Sequence, residues 1–384
     1  MKTLKDFDVA GKRVIVRCDF NVPLNEKGEI LDDFRIKKVI PTIEYLTGKE
    51  AKVILISHLG RPEPGSKDNA KFSLKSVAEK LEKLLGKKVE FLNDCVGKEV
   101  KEKIQSLKVG EIALLENVRF YKEETEADPE FAKQLSELGD IFIQDAFGVC
   151  HRAHASTTGL PQYLPAGIGF LVAEEIETLS RIMESPSRPL VAIIGGAKIN
   201  TKVKLIERFL KEVDSLLLGG MVANVVLDAR GVFVGKSTPW PETAAIVSKL
   251  NLGSDKIYLP LDAVATENDN PRQTVIGDIK EDELVLDIGP ETIALFSKMI
   301  KEAKTIIWNG PLGLTEDERY SQGTRKIIEA ILASPAFSVV GGGETVELVN
   351  NLGLTDKFGY VSTGGGAMLK FLGGEELPGI EAIK

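Results

Sequence analysis

The chain has 384 residues, of which 43% are apolar and 28% charged, with a formal net charge of −8 and a pI near 5.3. At about 150 residues per domain, that length points to two or three domains, and the balance excludes a collagen, a disordered tail and a disulfide-stapled miniature. No apolar run approaches the roughly 18 residues of a membrane span, and three scattered cysteines without a CxxC pair (Cys18, Cys95, Cys150) exclude a zinc ribbon or a disulfide framework.

The start, MKTLKDFDVAGKR, carries charges and no unbroken apolar stretch, so a cytoplasmic location is expected. An acidic chain of this size is a poor nucleic-acid binder unless its basic residues gather on one face. Where the arginines and histidines lie is therefore the informative question.

Four short apolar runs come first: RVIVRCDF (13–20), KVILISHLG (52–60), IALLENVRF (112–120) and IFIQDAFG (141–148). Five more follow: LVAIIGG (190–196), SLLLGG (215–220), KTIIWNG (304–310), FSVVGGG (337–343) and FGYVSTGGG (358–366). Near-continuous apolar strands, separated by amphipathic stretches such as NAKFSLKSVAEKLEKLLG, indicate buried parallel sheets. The expected fold is α/β: two Rossmann-like domains with parallel β-sheets flanked by helices. LVAEEIETLSRIMES (171–185) has helical spacing, and Pro186-Ser187-Arg188-Pro189 cannot continue it. The expected organisation is an N-terminal domain over 1–170, a hinge helix and linker over 171–189, a C-terminal domain over 190–370 and a tail over 371–384.

In open α/β sheets, ligands bind beyond the carboxyl ends of the strands. In the first half these ends carry Arg17-Cys18-Asp19-Phe20-Asn21, Ser57-His58-Leu59-Gly60-Arg61, Glu116-Asn117-Val118-Arg119, and Asp145-Ala146-Phe147-Gly148 running into His151-Arg152-Ala153-His154. A lone arginine is more often a surface charge than a ligand. Here Arg17, Arg35, Arg61, Arg119 and Arg152 all follow strands of one domain in an acidic protein, and planar guanidiniums grip a small polyanion bidentately. His58 and His151 read as polar lining and His154 as structural; a metal site there lacks its remaining ligands.

In the second half the strand ends are glycines: Gly195-Gly196, Gly219-Gly220, Gly310, Gly341-Gly342-Gly343 and Gly364-Gly365-Gly366. Glycine lets backbone N–H groups approach a phosphate, and a helix N-terminus behind it adds a favourable dipole. Lys198 and Lys202 are expected on one face of a helix beginning there. Gly231-Val-Phe-Val-Gly235-Lys236-Ser237 is one residue too short between its glycines for a Walker A loop, and its Val-Phe-Val reads as strand. No GxGxxG occurs, which removes the main support for a nicotinamide-type fold.

Several of these stretches are long and specific: Arg17-Cys-Asp-Phe-Asn-Val-Pro-Leu24, Ser57-His-Leu-Gly-Arg-Pro62, Asp145-Ala-Phe-Gly148, Gly195-Gly-Ala-Lys198, Trp308-Asn-Gly-Pro311 and Ser362-Thr-Gly-Gly-Gly-Ala367. From about Val14 to Leu377 the chain resembles the phosphoglycerate kinase family. The resemblance implies direct, in-line phosphoryl transfer from 1,3-bisphosphoglycerate to ADP, giving 3-phosphoglycerate and ATP, with domain closure. It implies that Asp19, Phe20, Asn21, Arg35, His58, Leu59, Gly60, Arg61, Arg119 and Arg152 hold 3-phosphoglycerate in the N-terminal domain. It assigns Gly195, Gly196, Lys198, Lys202, Asn309, Pro311, Glu316, Gly342, Gly343, Glu344 and Thr345 to ATP or ADP in the C-terminal domain, with Glu316 on the ribose. Arg35, Lys202 and Lys198 would be catalytic, and Mg²⁺ carried by the nucleotide is the implied cofactor, faced by Glu344.

One departure stands out. The family normally has Asp where this chain has Glu344, and Mg²⁺ demands near-octahedral geometry at roughly 2.0–2.1 Å, so slower turnover or altered metal preference is expected. The partners implied are small molecules, with no nucleic acid and no membrane, and a monomer is expected. A two-domain metabolite-binding protein or a dehydrogenase on a similar scaffold are the alternatives.

Overall fold

All nine apolar runs contain a strand in the computed structural model, which describes residues 1–63, 67–237, 247, 250–268 and 270–384. The chain divides into two units, Met1–Glu177 with Glu376–Lys384, and Thr178–Glu375. Each is built on a six-stranded parallel sheet with helical crossovers.

In the first unit the strands are β1 (Arg13–Arg17), β2 (Lys52–Ile56), β3 (Val89–Phe91), β4 (Ile112–Leu114), β5 (Ile141–Gln144) and β6 (Ala166–Ile168), in the order β3-β4-β2-β1-β5-β6. Central β1 pairs in parallel with β2 and β5, so Arg17 stands level with Ile56 and Gln144. Val14 and Val16 on β1 join Val53 and Leu55 on β2 in a core closed by Ile36, Val39 and Ile43 of the helix Phe34–Gly48. Each strand is shorter than its apolar run. Cys18–Phe20 and Ser57–Gly60 lie in loops past the strand ends, where polar side chains escape the sheet.

In the second unit β7 (Leu190–Ile194), β8 (Ser215–Leu218) and β9 (Ile257–Tyr258) continue the pattern. Next comes an antiparallel sheet of β10 (Asp262–Glu267), β11 (Asn270–Val275) and β12 (Leu284–Ile288), in the order β11-β10-β12. Then β13 (Thr305–Asn309), β14 (Phe337–Gly341) and β15 (Tyr360–Val361) complete the main sheet, in the order β15-β14-β13-β7-β8-β9. The chain order reverses between β7 and β13, the switch point at which such sheets open a crevice.

Three expectations are corrected here. The antiparallel sheet went unforeseen because β11, with Pro271 and mostly exposed side chains, offers almost no apolar face. Val232–Val234 is no strand: Val234 is buried and Phe233 exposed in a bend before a 3-10 turn at Gly235–Ser237. Thr238 and the Pro-Trp-Pro that follows lie outside the described residues. The third concerns the C-terminus.

The helix of 171–185 is observed as Phe170–Glu184 and carries the boundary between units. Residues 371–384 are not one tail. The last nine belong to the first unit, where Gly379 N–H donates to the Cys150 carbonyl at 2.9 Å and Leu377, Ile380 and Ile383 are buried. Removing residues 376–384 should therefore destabilise the first unit by roughly 1.5–3 kcal/mol for each buried side chain lost. Thermal unfolding of the truncated chain checks this, and an unchanged transition would show that the segment contributes nothing.

Candidate active site

Parallel pairing delivers the loops after β1, β2, β4 and β5 to one edge of the first sheet. Asp19 and Asn21 follow β1. Arg35 lies not in a loop but in the first turn of the helix Phe34–Gly48. Its Nη1 donates to the Asn21 carbonyl at 2.6 Å and lies 3.8 Å from Asp19 Oδ2. Asn21 Oδ1 accepts the Gly60 N–H at 2.7 Å, and Arg119 Nη1 donates to the Gly60 carbonyl at 2.7 Å. One chain of hydrogen bonds thus ties Arg35, Asn21, Gly60 and Arg119 across three loops.

His58 sits among these charges. Burial, and then Arg17, Arg119, Arg35 and Arg152 in turn, hold its imidazole well below the ordinary range. Burial followed by the neighbouring Arg17 and Arg152 charges pulls the Arg119 guanidinium down to about 10. Arg119, Arg35 and Arg152, with Arg17 behind them, are all close enough to act on His58, an arrangement that suits an anion. Arg119 Nε is buried without a hydrogen-bond partner among the described residues, a donor with nothing yet to bond. Arg152 is half-buried, its Nε 3.3 Å from His151 Nε2. Arg61 is exposed and is not among the charges acting on His58.

Phe20 and Leu59 are buried, so they shape the loops from beneath; Phe20 N–H donates to Ser57 Oγ at 2.8 Å. A cavity of about 950 Å³ opens from Asn21, Leu59 and Gly60 toward Lys71, Phe72 and the 25–30 turn, and no arginine lines it. Asp145, at the end of β5, turns away to cap the helix Phe170–Glu184, accepting the Val172 N–H at 3.2 Å. Burial pushes its carboxyl up to about 7.

In the second unit the crests of β7 and β13 touch. Gly196 N–H donates to the Pro311 carbonyl at 2.6 Å and Gly195 N–H to the Asn309 carbonyl at 3.0 Å. A Cβ on Gly195 would lie 2.1 Å from the Pro311 oxygen, so only glycine permits this approach. Lys202 Nζ reaches into the gap, bonding the Gly195 carbonyl, and is 6% exposed. Burial pulls its amine down to about 8, with the Glu344 carboxylate acting in the opposite direction. Asn309 is buried with its Nδ2 unpartnered among the described residues, and a Cβ on Gly342 would come within 3.2 Å of that atom. Gly342, with φ +100°, caps the helix Gly343–Asn351, whose first turn exposes Glu344.

Other expected residues behave differently. Lys198 and Lys202 do not share a helix face: a 3-10 turn, Ile199–Thr201, separates them, the helix starts at Val203, and Lys198 is exposed. Thr345 is buried, and its Oγ1 accepts the Gly310 N–H at 3.0 Å, so it braces the β13 crest. Glu316 is exposed in the turn after Leu314. Leu314 donates its N–H to the Leu286 carbonyl on β12 at 2.8 Å, yet its side chain is 40% exposed. Arg17 was counted with the pocket arginines; it is fully buried behind them.

No group of three or more His, Cys, Asp or Glu among the described residues could hold a metal by itself. Glu344 supplies one carboxylate, which fits Mg²⁺ arriving with phosphates, since that ion usually takes one or two protein carboxylates plus substrate oxygens.

An anion pocket of side-chain cations, and in the other unit a bare-backbone crest with one buried lysine, equip a two-substrate phosphotransferase of the doubly wound α/β class. The family model for phosphoglycerate kinase matches residues 4–375. The chain is 47% identical over 393 residues to phosphoglycerate kinase of Borrelia garinii subsp. bavariensis, covering 100% of this chain and 99% of that protein. With the enzyme of Dictyoglomus turgidum it shares 48% over 390 residues, covering 99% and 98%. The solved phosphoglycerate kinase of Coxiella burnetii superposes with a TM-score of 0.84 at 40% identity, and that of Pyrococcus horikoshii with 0.87 at 33%; each match covers 100% of this chain and 98% of the other. The chain belongs to the phosphoglycerate kinase family.

The Lys202 environment makes a direct prediction. Its Cε signal in ¹³C-lysine NMR, assigned with Lys202→Arg, should titrate near pH 8; a midpoint at the ordinary value of about 10.4 would contradict the burial argument.

Proposed function

We propose that this chain, a kinase with a carboxyl-group acceptor, performs the reaction its family is named for. A terminal oxygen of ADP takes the phosphoryl group of 1,3-bisphosphoglycerate as the acyl P–O bond breaks. The electron pair leaves with the carboxylate of 3-phosphoglycerate, and no phosphoenzyme forms. The hydrogen-bonded chain that brings Arg35 and Arg119 together through Asn21 and Gly60, beside His58, carries this reading.

Phosphoryl transfer asks a protein mainly for alignment and charge stabilisation. Arg119 and Arg152, with the exposed arm of Arg61, hold the non-reacting phosphate, while Asp19 and Asn21 take the hydroxyl and carboxylate end. Arg35 and Lys202 face the equatorial oxygens of the moving group, and Lys198 reaches the phosphate tail. Gly195, Gly196, Gly342 and Gly343 give backbone N–H groups to phosphate oxygens, Asn309 Nδ2 offers a further donor, and Pro311 and Thr345 hold the crest in shape. Leu314 gives the nucleoside an apolar surface beside Glu316, which takes the ribose. Glu344 would help hold Mg²⁺ arriving with the nucleotide, and that ion would supply charge neutralisation to the phosphates. The chain acts on these small molecules as a cytoplasmic monomer. Among the described residues no helix is long and apolar enough to cross a membrane.

ATP consumption that depends on 3-phosphoglycerate, followed in a coupled assay, tests the reaction itself. Loss of one preorganised donor commonly costs about 10²–10³ in rate, so Arg35→Ala should lower kcat by that factor. Near-normal turnover would remove Arg35 from the chemistry.

The half-sites belong to different units, so transfer requires the chain to close and exclude water. Small-angle scattering should show a smaller radius of gyration with both substrates bound than with neither. Equal radii would count against closure.

A further inference from the structure

Behind the arginine pocket, Arg17 ends β1 with no exposure to solvent. A guanidinium carries five N–H donors and offers no acceptor. Its Nη2 lies 3.3 Å from His58 Nδ1, and both side chains are buried. Only Arg17 can donate at that contact, so Nδ1 must present its lone pair and the ring's proton must sit on Nε2.

We infer that Arg17, anchored by Glu124, is a positioning residue that locks His58 as the neutral Nε2–H tautomer, so that the pocket meets its anion with a hydrogen-bond donor and not with a titrating cation. The inference deepens the proposed function and rests on it only for the identity of the anion.

Arg17 is held at every nitrogen. Nε donates to Ser156 Oγ at 2.7 Å, Nη1 bonds the Cys18 carbonyl, and Nη2 lies 3.8 Å from Glu124 Oε1. Glu124, fully buried in the short helix Lys122–Thr125, accepts Ser156 N–H at 2.9 Å and Ser156 Oγ–H at 2.6 Å, and lies 3.6 Å from His154 Nδ1. Burial raises the Glu124 carboxyl, but His154, Arg17 and Ser156 outweigh it and hold the group below its usual range, so the anion persists.

Other charges also face His58. Asp19 Oδ1, at 3.9 Å from Nδ1, is too far to hydrogen-bond and takes the Asn21 N–H at 3.3 Å. Arg119, Arg35 and Arg152 each oppose a further positive charge, and burial keeps the Cys18 thiol protonated. Nε2 makes no hydrogen bond among the described residues, which leaves its N–H for a ligand.

The test uses ¹⁵N-labelled full-length protein without ligand, and long-range ¹H–¹⁵N NMR of its three histidines, with His58→Gln for assignment. His58 should show the Nε2–H pattern, unchanged from about pH 5 to 8. An Nδ1–H pattern, or a midpoint near the ordinary value of about 6.5, overturns the inference. Because no turnover is measured, an inactive chain with the expected spectrum would sink the proposed reaction and leave this inference standing.

With no donor left at Nδ1 in Arg17→Met/Glu124→Gln, the His58 proton should distribute over both ring nitrogens, while burial, Arg119, Arg35 and Arg152 still oppose a charge on the ring. The KM for 3-phosphoglycerate should then rise on the order of threefold to tenfold, as the fixed Nε2–H donor is lost. Arg17→Lys, still a pure donor, should keep the tautomer. If His58 behaves as in the parent chain after both charges are gone, the lock is not Arg17.

Discussion

Parallel strand pairing is the constraint on which both half-sites depend. It puts every carboxyl end of a sheet on one edge, so residues far apart in sequence arrive side by side. Arg17 level with Ile56 and Gln144 brings the loops bearing Asp19, His58 and Arg152 together. In the second unit, Asn309 stands level with both Ile194 and Gly341. That register makes Gly195, Gly310 and Gly342 neighbours without any of them binding the others through a side chain.

The two edges present positive charge and N–H donors in different ways. The first concentrates guanidiniums and accepts the repulsion among them. Burying one of them, Arg17, is tolerable only because Glu124 is buried with it: an uncompensated buried charge costs several kcal/mol, whereas a close pair whose polar atoms are satisfied, here through Ser156, roughly balances its desolvation. The second edge uses backbone N–H groups, which carry no net charge, and a single lysine whose amine burial has already weakened as a cation. A neutral crest suits a ligand that brings its own counter-ion, and a cationic pocket suits one that does not.

Much of this was legible in the residues. Nine apolar runs located nine strands because a doubly covered parallel strand is apolar on both faces. The strands β10 to β12 were illegible for the converse reason, since a small sheet with one wet face leaves a broken pattern in which Pro271 and Arg272 look like loop. The site showed the same split. Asp19, Asn21 and Arg119 were singled out because they follow strands, and Asn309 because it ends one, while Arg17, in the same company by sequence, is buried behind the others.

Composition and spacing by themselves determined the class of sheet, the arginine-rich strand ends of the first half and the glycine crest of the second, because those depend on residue type and on distance from a strand end. Tertiary structure alone decided that Lys202 is buried and Lys198 is not, that Thr345 braces a neighbouring strand, that Arg17 stands behind the pocket, and that the last nine residues return to the first unit. Each of these turns on which groups occupy a shared space, and contacts made across the fold, from Thr345 to Gly310 or from Gly379 to Cys150, leave no periodic trace in the chain.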